Sequence, residues 1–116
     1  MYKVIVLASF LMASSLCYGT ISECDISGEW QHSAKPATLY VDIGAAEISV
    51  QSHDDNAKAI GLVVLKNLEA GTVAHTWHAK MYSAADDAFV DVLVKSSHCN
   101  QLIVSYNGEQ ILTLLR

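Results

Sequence analysis

The 116-residue chain contains none of the spacings that mark common catalytic centres. There is no H-E-x-x-H, no G-x-S-x-G, no Walker-type glycine loop and no paired zinc cysteines. Basic residues are scarce as well, 7 Lys and Arg against 12 Asp and Glu. An acidic surface repels phosphate backbones, and no basic stripe with interleaved aromatics is present, so nucleic acid is excluded as a partner. No segment carries a convincing 3.6-residue period, which argues against a helical fold. No C-x-x-C pair exists either, and with it goes the dithiol redox chemistry such pairs support. These absences point to a protein that is not an enzyme and needs no cofactor.

The first segment to account for is the N-terminus. Met1-Tyr2-Lys3 is a short basic start, residues 4–16 are uncharged and apolar, and Cys17-Tyr18-Gly19 ends the run with small residues. That order is the grammar of a secretory signal peptide, with cleavage expected after Gly19. The apolar run is short for a bilayer span, and nothing later in the chain resembles a second one, so no membrane association is expected after cleavage. Bulky Leu16 directly before Cys17 fits a lipid-modified cysteine badly. Residues 20–116 then form one small domain, with 12 acidic residues and, once Lys3 is gone, 6 basic ones. The expected location is the periplasm or the exterior. Two cysteines remain there, Cys24 and Cys99, and an oxidising compartment joins them.

The domain reads as eight short strands. Residues 60–82 form the centre, as two arms around the turn Glu69-Ala70-Gly71-Thr72. The first arm, residues 60–65, is apolar on both faces, and a strand buried on both sides belongs inside a sheet. The second sets Val73, Trp77, Ala79 and Met81 on one face and Thr76, His78, Lys80 and Tyr82 on the other. Before this hairpin come a strand ending at His32, residues 38–43 beyond Pro36, and residues 47–53, where Ile48 and Val50 oppose Glu47, Ser49 and Gln51. After it come residues 89–95 with Val90, Val92 and Val94 on one face, residues 102–106, and residues 110–116. Asn107-Gly108 between the last two is a strong hairpin signal, because both residues tolerate positive φ. Eight evenly spaced strands indicate an all-β sandwich or barrel. In an up-and-down arrangement, Cys24, the loop containing Cys99, and Arg116 all fall at the same end, which makes the bridge available. Closing the sheet removes its free edges, and an antiparallel meander barrel is the expected result.

Gly28-Glu29-Trp30 on the first strand, with Arg116 ending the last, resembles the G-x-W and arginine pairing of the calycins, the superfamily of lipocalins and avidins. The resemblance implies that Gly28, Trp30 and Arg116 are structural, the arginine lying across the tryptophan and plugging one end of a lipocalin-like barrel. A closer likeness is to a family of small exported bacterial lipocalin-like proteins of unknown function. It rests on Gly28-Glu29-Trp30, Asp54-Asp55-Asn56, Gly61, Trp77 and Tyr82 at a W-x-x-x-x-Y spacing, and the final arginine. The chain departs from that pattern at Ala84-Ala85-Asp86-Asp87, where a glycine-rich turn is usual, and at Leu114-Leu115, where a tryptophan is expected.

Polar candidates gather at the end opposite the disulfide. His32, His53, Asp54 and Asp55 could hold a divalent cation if they converged. Tight turns use Asp and Asn for their own reasons, however, and no metal is expected. His75 reads as a core or rim histidine, His78 as exposed and His98 as a loop cap. The surplus of apolar residues on both faces of the later strands calls for a homodimer interface, a partner protein or a small apolar ligand. The reading is a binding protein whose ligand sits at the open end, framed by Tyr40, Trp77, Met81 and Tyr82. The alternative is an inhibitor of a secreted or periplasmic hydrolase, acting through residues 20–23.

Overall fold

A computed structural model describes residues 24–116; the expected signal peptide, with Cys17, and residues 20–23 lie outside them. Eight strands form a closed antiparallel meander barrel in sequence order. They are β1 (Gly28–His32), β2 (Ala37–Asp42), β3 (Glu47–His53), β4 (Val63–Ala70), β5 (Thr76–Ser83), β6 (Ala88–Ser97), β7 (Gln101–Tyr106) and β8 (Glu109–Leu115). Closure is made by β1 against β8, through Gln31 opposite Leu115 and His32 opposite Leu114. A 3₁₀ turn, Ala57–Ala59, lies between β3 and β4. Among the described residues no helix is long and apolar enough to cross a membrane.

The alternation in the sequence becomes an inside and an outside. Leu39 and Val41 of β2, Ile48 and Val50 of β3, Val92 and Val94 of β6, Leu102 and Val104 of β7, and Leu112 and Leu114 of β8 are all buried. The turn at Asn107 and Gly108 has φ of 52° and 82°, which is the left-handed pair that the Asn-Gly dipeptide supplies at little cost.

The central hairpin differs from expectation at both margins. Ile60 and Leu62 precede β4 and stay exposed, although Gly61 still donates its N–H to the Val50 carbonyl at 2.8 Å. Val73 also lies outside the strands and is exposed; the hairpin closes where the Gly71 N–H meets the Thr76 carbonyl at 2.8 Å. Strand β4 instead runs on to Ala70, because its register absorbs extra residues. Ser49 faces Val63 and Ile48 faces Leu65, so Val64 has no partner across β3. Further along, Lys66 faces Lys80 and Glu69 faces His78, with Asn67 at a φ of 56° inside the irregularity. Bulges of this kind bend a strand and re-aim its side chains. The second one explains why Leu65 and Leu68, three positions apart, are both buried.

One end of the barrel is sealed. Cys24 and Cys99 form a disulfide, with a Cα–Cα separation of 5.4 Å. Trp30 is fully buried and donates its indole N–H to the Ile26 carbonyl at 2.8 Å. Across its ring, 4.2 Å from the centroid, lies the Arg116 guanidinium. That group also donates to the carbonyls of Asp25 at 2.6 Å, Ser27 at 3.1 Å and Cys99 at 3.4 Å. A planar guanidinium with five donors can cover an aromatic face and fasten three chain segments together; a lysine could not do both. Gly28, at a φ of 105°, gives the chain its turn into β1 just before the tryptophan.

Candidate functional site

The other end is open. A cup of ≈ 270 Å³ enters the barrel there. Its walls and floor are aliphatic, made by Leu39, Val50, Val64, Met81 and Leu112, with Ala37 and Ala59 beside them. Its polar groups are His32, Lys35, His53 and Asn56, all at the rim. Below the floor the barrel is solid, filled by Trp30, Ile48, Leu65, Val94, Leu102, Val104 and Leu114. An apolar recess with a few convergent polar groups is the general form of a small-molecule site.

Each rim histidine is placed by its strand. His32 follows Trp30 by two residues on β1 and pairs with the inward-facing Leu114, so it faces the interior. His53 is turned inward by a bulge. The pairing of β2 with β3 jumps from Thr38–Ser52 to Leu39–Val50, which leaves Gln51 unpaired and exchanges the two faces beyond it. His53 therefore lies opposite the buried Ala37.

The two imidazoles share one hydrogen-bonding arrangement. The Ala34 N–H donates to His32 Nδ1 at 3.0 Å, and the Asp55 N–H donates to His53 Nδ1 at 3.2 Å. A backbone N–H can only donate, so Nδ1 is the acceptor in both rings. In the neutral ring the proton then resides on Nε2. Burial, helped by the charge of Lys35 and by His53, holds the His32 pKa below its ordinary value. A histidine with a depressed folded pKa contributes stability that is complete above its unfolded pKa of about 6.5. That stability is lost as the pH falls from there through the folded value. The melting temperature is therefore expected to drop more between pH 7.5 and 5.5 in the parent protein than in His32→Gln, and equal drops would refute the assignment.

The remaining candidates are dispersed. Trp77 is buried in the core at 7 % exposure, on the sealed side of the cup. Met81 is half-buried and lines the cup wall. Tyr40 and Tyr82 face outward, at 42 % and 46 % exposure. The Tyr82 hydroxyl donates to Asp87 at 2.7 Å, which raises its pKa above the usual phenol value. The structure thus keeps Met81 at the mouth and does not bring Tyr40, Trp77 and Tyr82 around it. Asp54 and Asp55 are exposed and do not line the cup. Among the described residues no three His, Cys, Asp or Glu side chains are grouped to hold a metal. His78 is exposed, and the His98 ring meets Ser97 Oγ at 3.1 Å in the β6–β7 connection.

Two further recesses lie on the outer wall. One, of ≈ 480 Å³ beside the Asn67 bulge, is bordered by Glu69, His78, Lys80 and Asp91. Lys80 and Asp91 answer each other there in an exposed ion pair at 2.6 Å. The other, of ≈ 290 Å³, is apolar, with Leu62, Val63, Tyr82 and Phe89 around it. Tyr82 meets Phe89 edge-on at 5.8 Å, and the Lys66 ammonium sits 3.9 Å above the Phe89 ring. Val64 and Met81 line both this groove and the cup and so form the partition between them.

Compared with protein-family models, curated proteins and solved structures, the chain matches none.

Proposed function

We propose that this chain is an exported, non-catalytic binding protein that takes a small apolar molecule into the open end of its barrel. The observation that carries this reading is the cup itself, an aliphatic recess above a solid core with polar groups confined to its rim. A disulfide across the closed end supports export, because such bonds persist in oxidising compartments. The likeness to small exported bacterial barrels, carried by Gly28, Trp30, Gly61, Trp77, Tyr82 and Arg116, supports it further. Inhibition of a hydrolase would call on residues 20–23, outside the described residues, and no observation favours it.

The test is thermal. A medium-chain alcohol such as octan-1-ol, at a hundred times its Kd, adds about 2.7 kcal/mol by linkage. For a domain of this size that is a rise of about 10 °C or more in Tm. Ala59→Trp, which fills the rim of the cup from a half-exposed turn, is expected to abolish the rise. An undiminished shift in that variant would move the site elsewhere.

Self-association belongs to the same proposal, and its candidate surface is the outer groove at Leu62, Tyr82 and Phe89. Light scattering is expected to show a dimer that Phe89→Glu dissociates; a strict monomer at high concentration removes this part.

A further inference from the structure

We propose that the ligand of the cup is an aliphatic monocarboxylate of about ten non-hydrogen atoms, its chain in the recess and its carboxylate among His32, Lys35 and His53. This rests on the reading of the cup as a binding site and adds the charge, shape and size of what enters it.

Size follows from volume. At about 30 Å³ for a water-sized group, ≈ 270 Å³ accommodates roughly nine such groups. Shape follows from the walls, which are aliphatic; the only rings in the lining are the two imidazoles at the rim.

Charge follows from the composition of the lining. The protein carries 12 carboxylates against 7 Lys and Arg, yet none of the carboxylates lines the cup. The ionisable groups that do are one lysine and two histidines. Because each Nδ1 already accepts a backbone N–H, neither neutral ring has an acceptor left to offer a ligand. Each offers only an Nε2–H donor. Lys35 adds three donors and a positive charge, and it lies near enough to His32 for its field to be felt there. The ionisable groups of the rim thus offer donors alone, and the Asn56 amide beside them can either donate or accept; such a rim suits an anion with several lone pairs best. It suits an ammonium least, because Lys35 repels a second positive charge, and an alcohol only partly.

Calorimetry at pH 7.5 on the purified, disulfide-bonded protein, with octanoate, octan-1-ol and octylammonium as probes, tests the inference. Octanoate is expected to bind about ten to a hundred times more tightly than octan-1-ol, the range that one hydrogen bond to a charged group supplies. Octylammonium is expected to bind more weakly than either. Lys35→Met, at an exposed position, is expected to lower octanoate affinity about tenfold and octan-1-ol affinity by much less, because only octanoate loses a charge partner. Equal affinities for octanoate and octan-1-ol overturn the carboxylate assignment while leaving the cup as an apolar site. Tighter binding of octylammonium overturns it too. No binding of any probe to folded protein overturns both this inference and the reading beneath it.

Discussion

Trp30→Ala is expected to lower the unfolding free energy by about 3–5 kcal/mol, the range for removing a large aromatic from a packed core. Trp30 is fully buried, and its indole N–H is satisfied by the Ile26 carbonyl. Truncation therefore leaves both a cavity and a buried carbonyl without its donor. It also removes the surface on which Arg116 lies. Arg116→Met separates the contributions. That variant keeps an apolar cover over the ring and loses the donors to Asp25, Ser27 and Cys99. Its cost is expected to be about 1–2 kcal/mol, since those carbonyls regain water. A double-mutant cycle in chemical denaturation should give a coupling of about 1 kcal/mol between the two positions. Additive effects would mean that the guanidinium ties down the chain segments and gains nothing from the ring.

The parts of this structure that were legible beforehand are those governed by strict alternation or by a single residue's chemistry. Leu39 and Val41, or Val92 and Val94, occur at period two and are buried at period two. Asn107-Gly108 turns where its dipeptide requires. Cys24, Cys99, Trp30 and Arg116 meet because an even number of antiparallel strands returns the chain to the same end. The rim was less legible because bulges break the period. Simple alternation puts His53 with Glu47, Ser49 and Gln51 on the outer face, and the unpaired Gln51 moves it inward. Residues 60–65 look apolar on both faces because Val64 occupies a bulge and lines the cup, while its neighbour Leu65 is buried in the core. No local signal in the sequence marks either bulge; each is fixed by the register of its partner strand. Tyr40 and Tyr82 are a different matter. Tyr40 alternates with Leu39 and Val41, and Tyr82 with Met81, so the same parity that buries their neighbours turns both rings outward.

Removing the disulfide is expected to have the second large effect, about 4 kcal/mol on the chain-entropy account for cysteines 75 residues apart. For one small domain that is a large part of the typical 5–15 kcal/mol of net stability. Cys24→Ala/Cys99→Ala should therefore melt far below the parent. The loss is not confined to the unfolded state. His98 and Cys99 occupy consecutive left-handed positions, at φ of 54° and 62°, which non-glycine residues adopt only when their surroundings hold them there. The Cys99 carbonyl also receives the Arg116 Nε donor, so release of the bridge loosens the cover over Trp30 as well. The cup, in contrast, is built at the opposite rim from the end of β1, β2, β3, the 3₁₀ turn and the facing ends of β4, β5 and β8. Below its lowered melting transition the double variant should bind octan-1-ol with unchanged affinity while unfolding at a lower urea concentration. Loss of binding in a sample still folded by circular dichroism would show that the sealed end shapes the cup as well as stabilising the barrel.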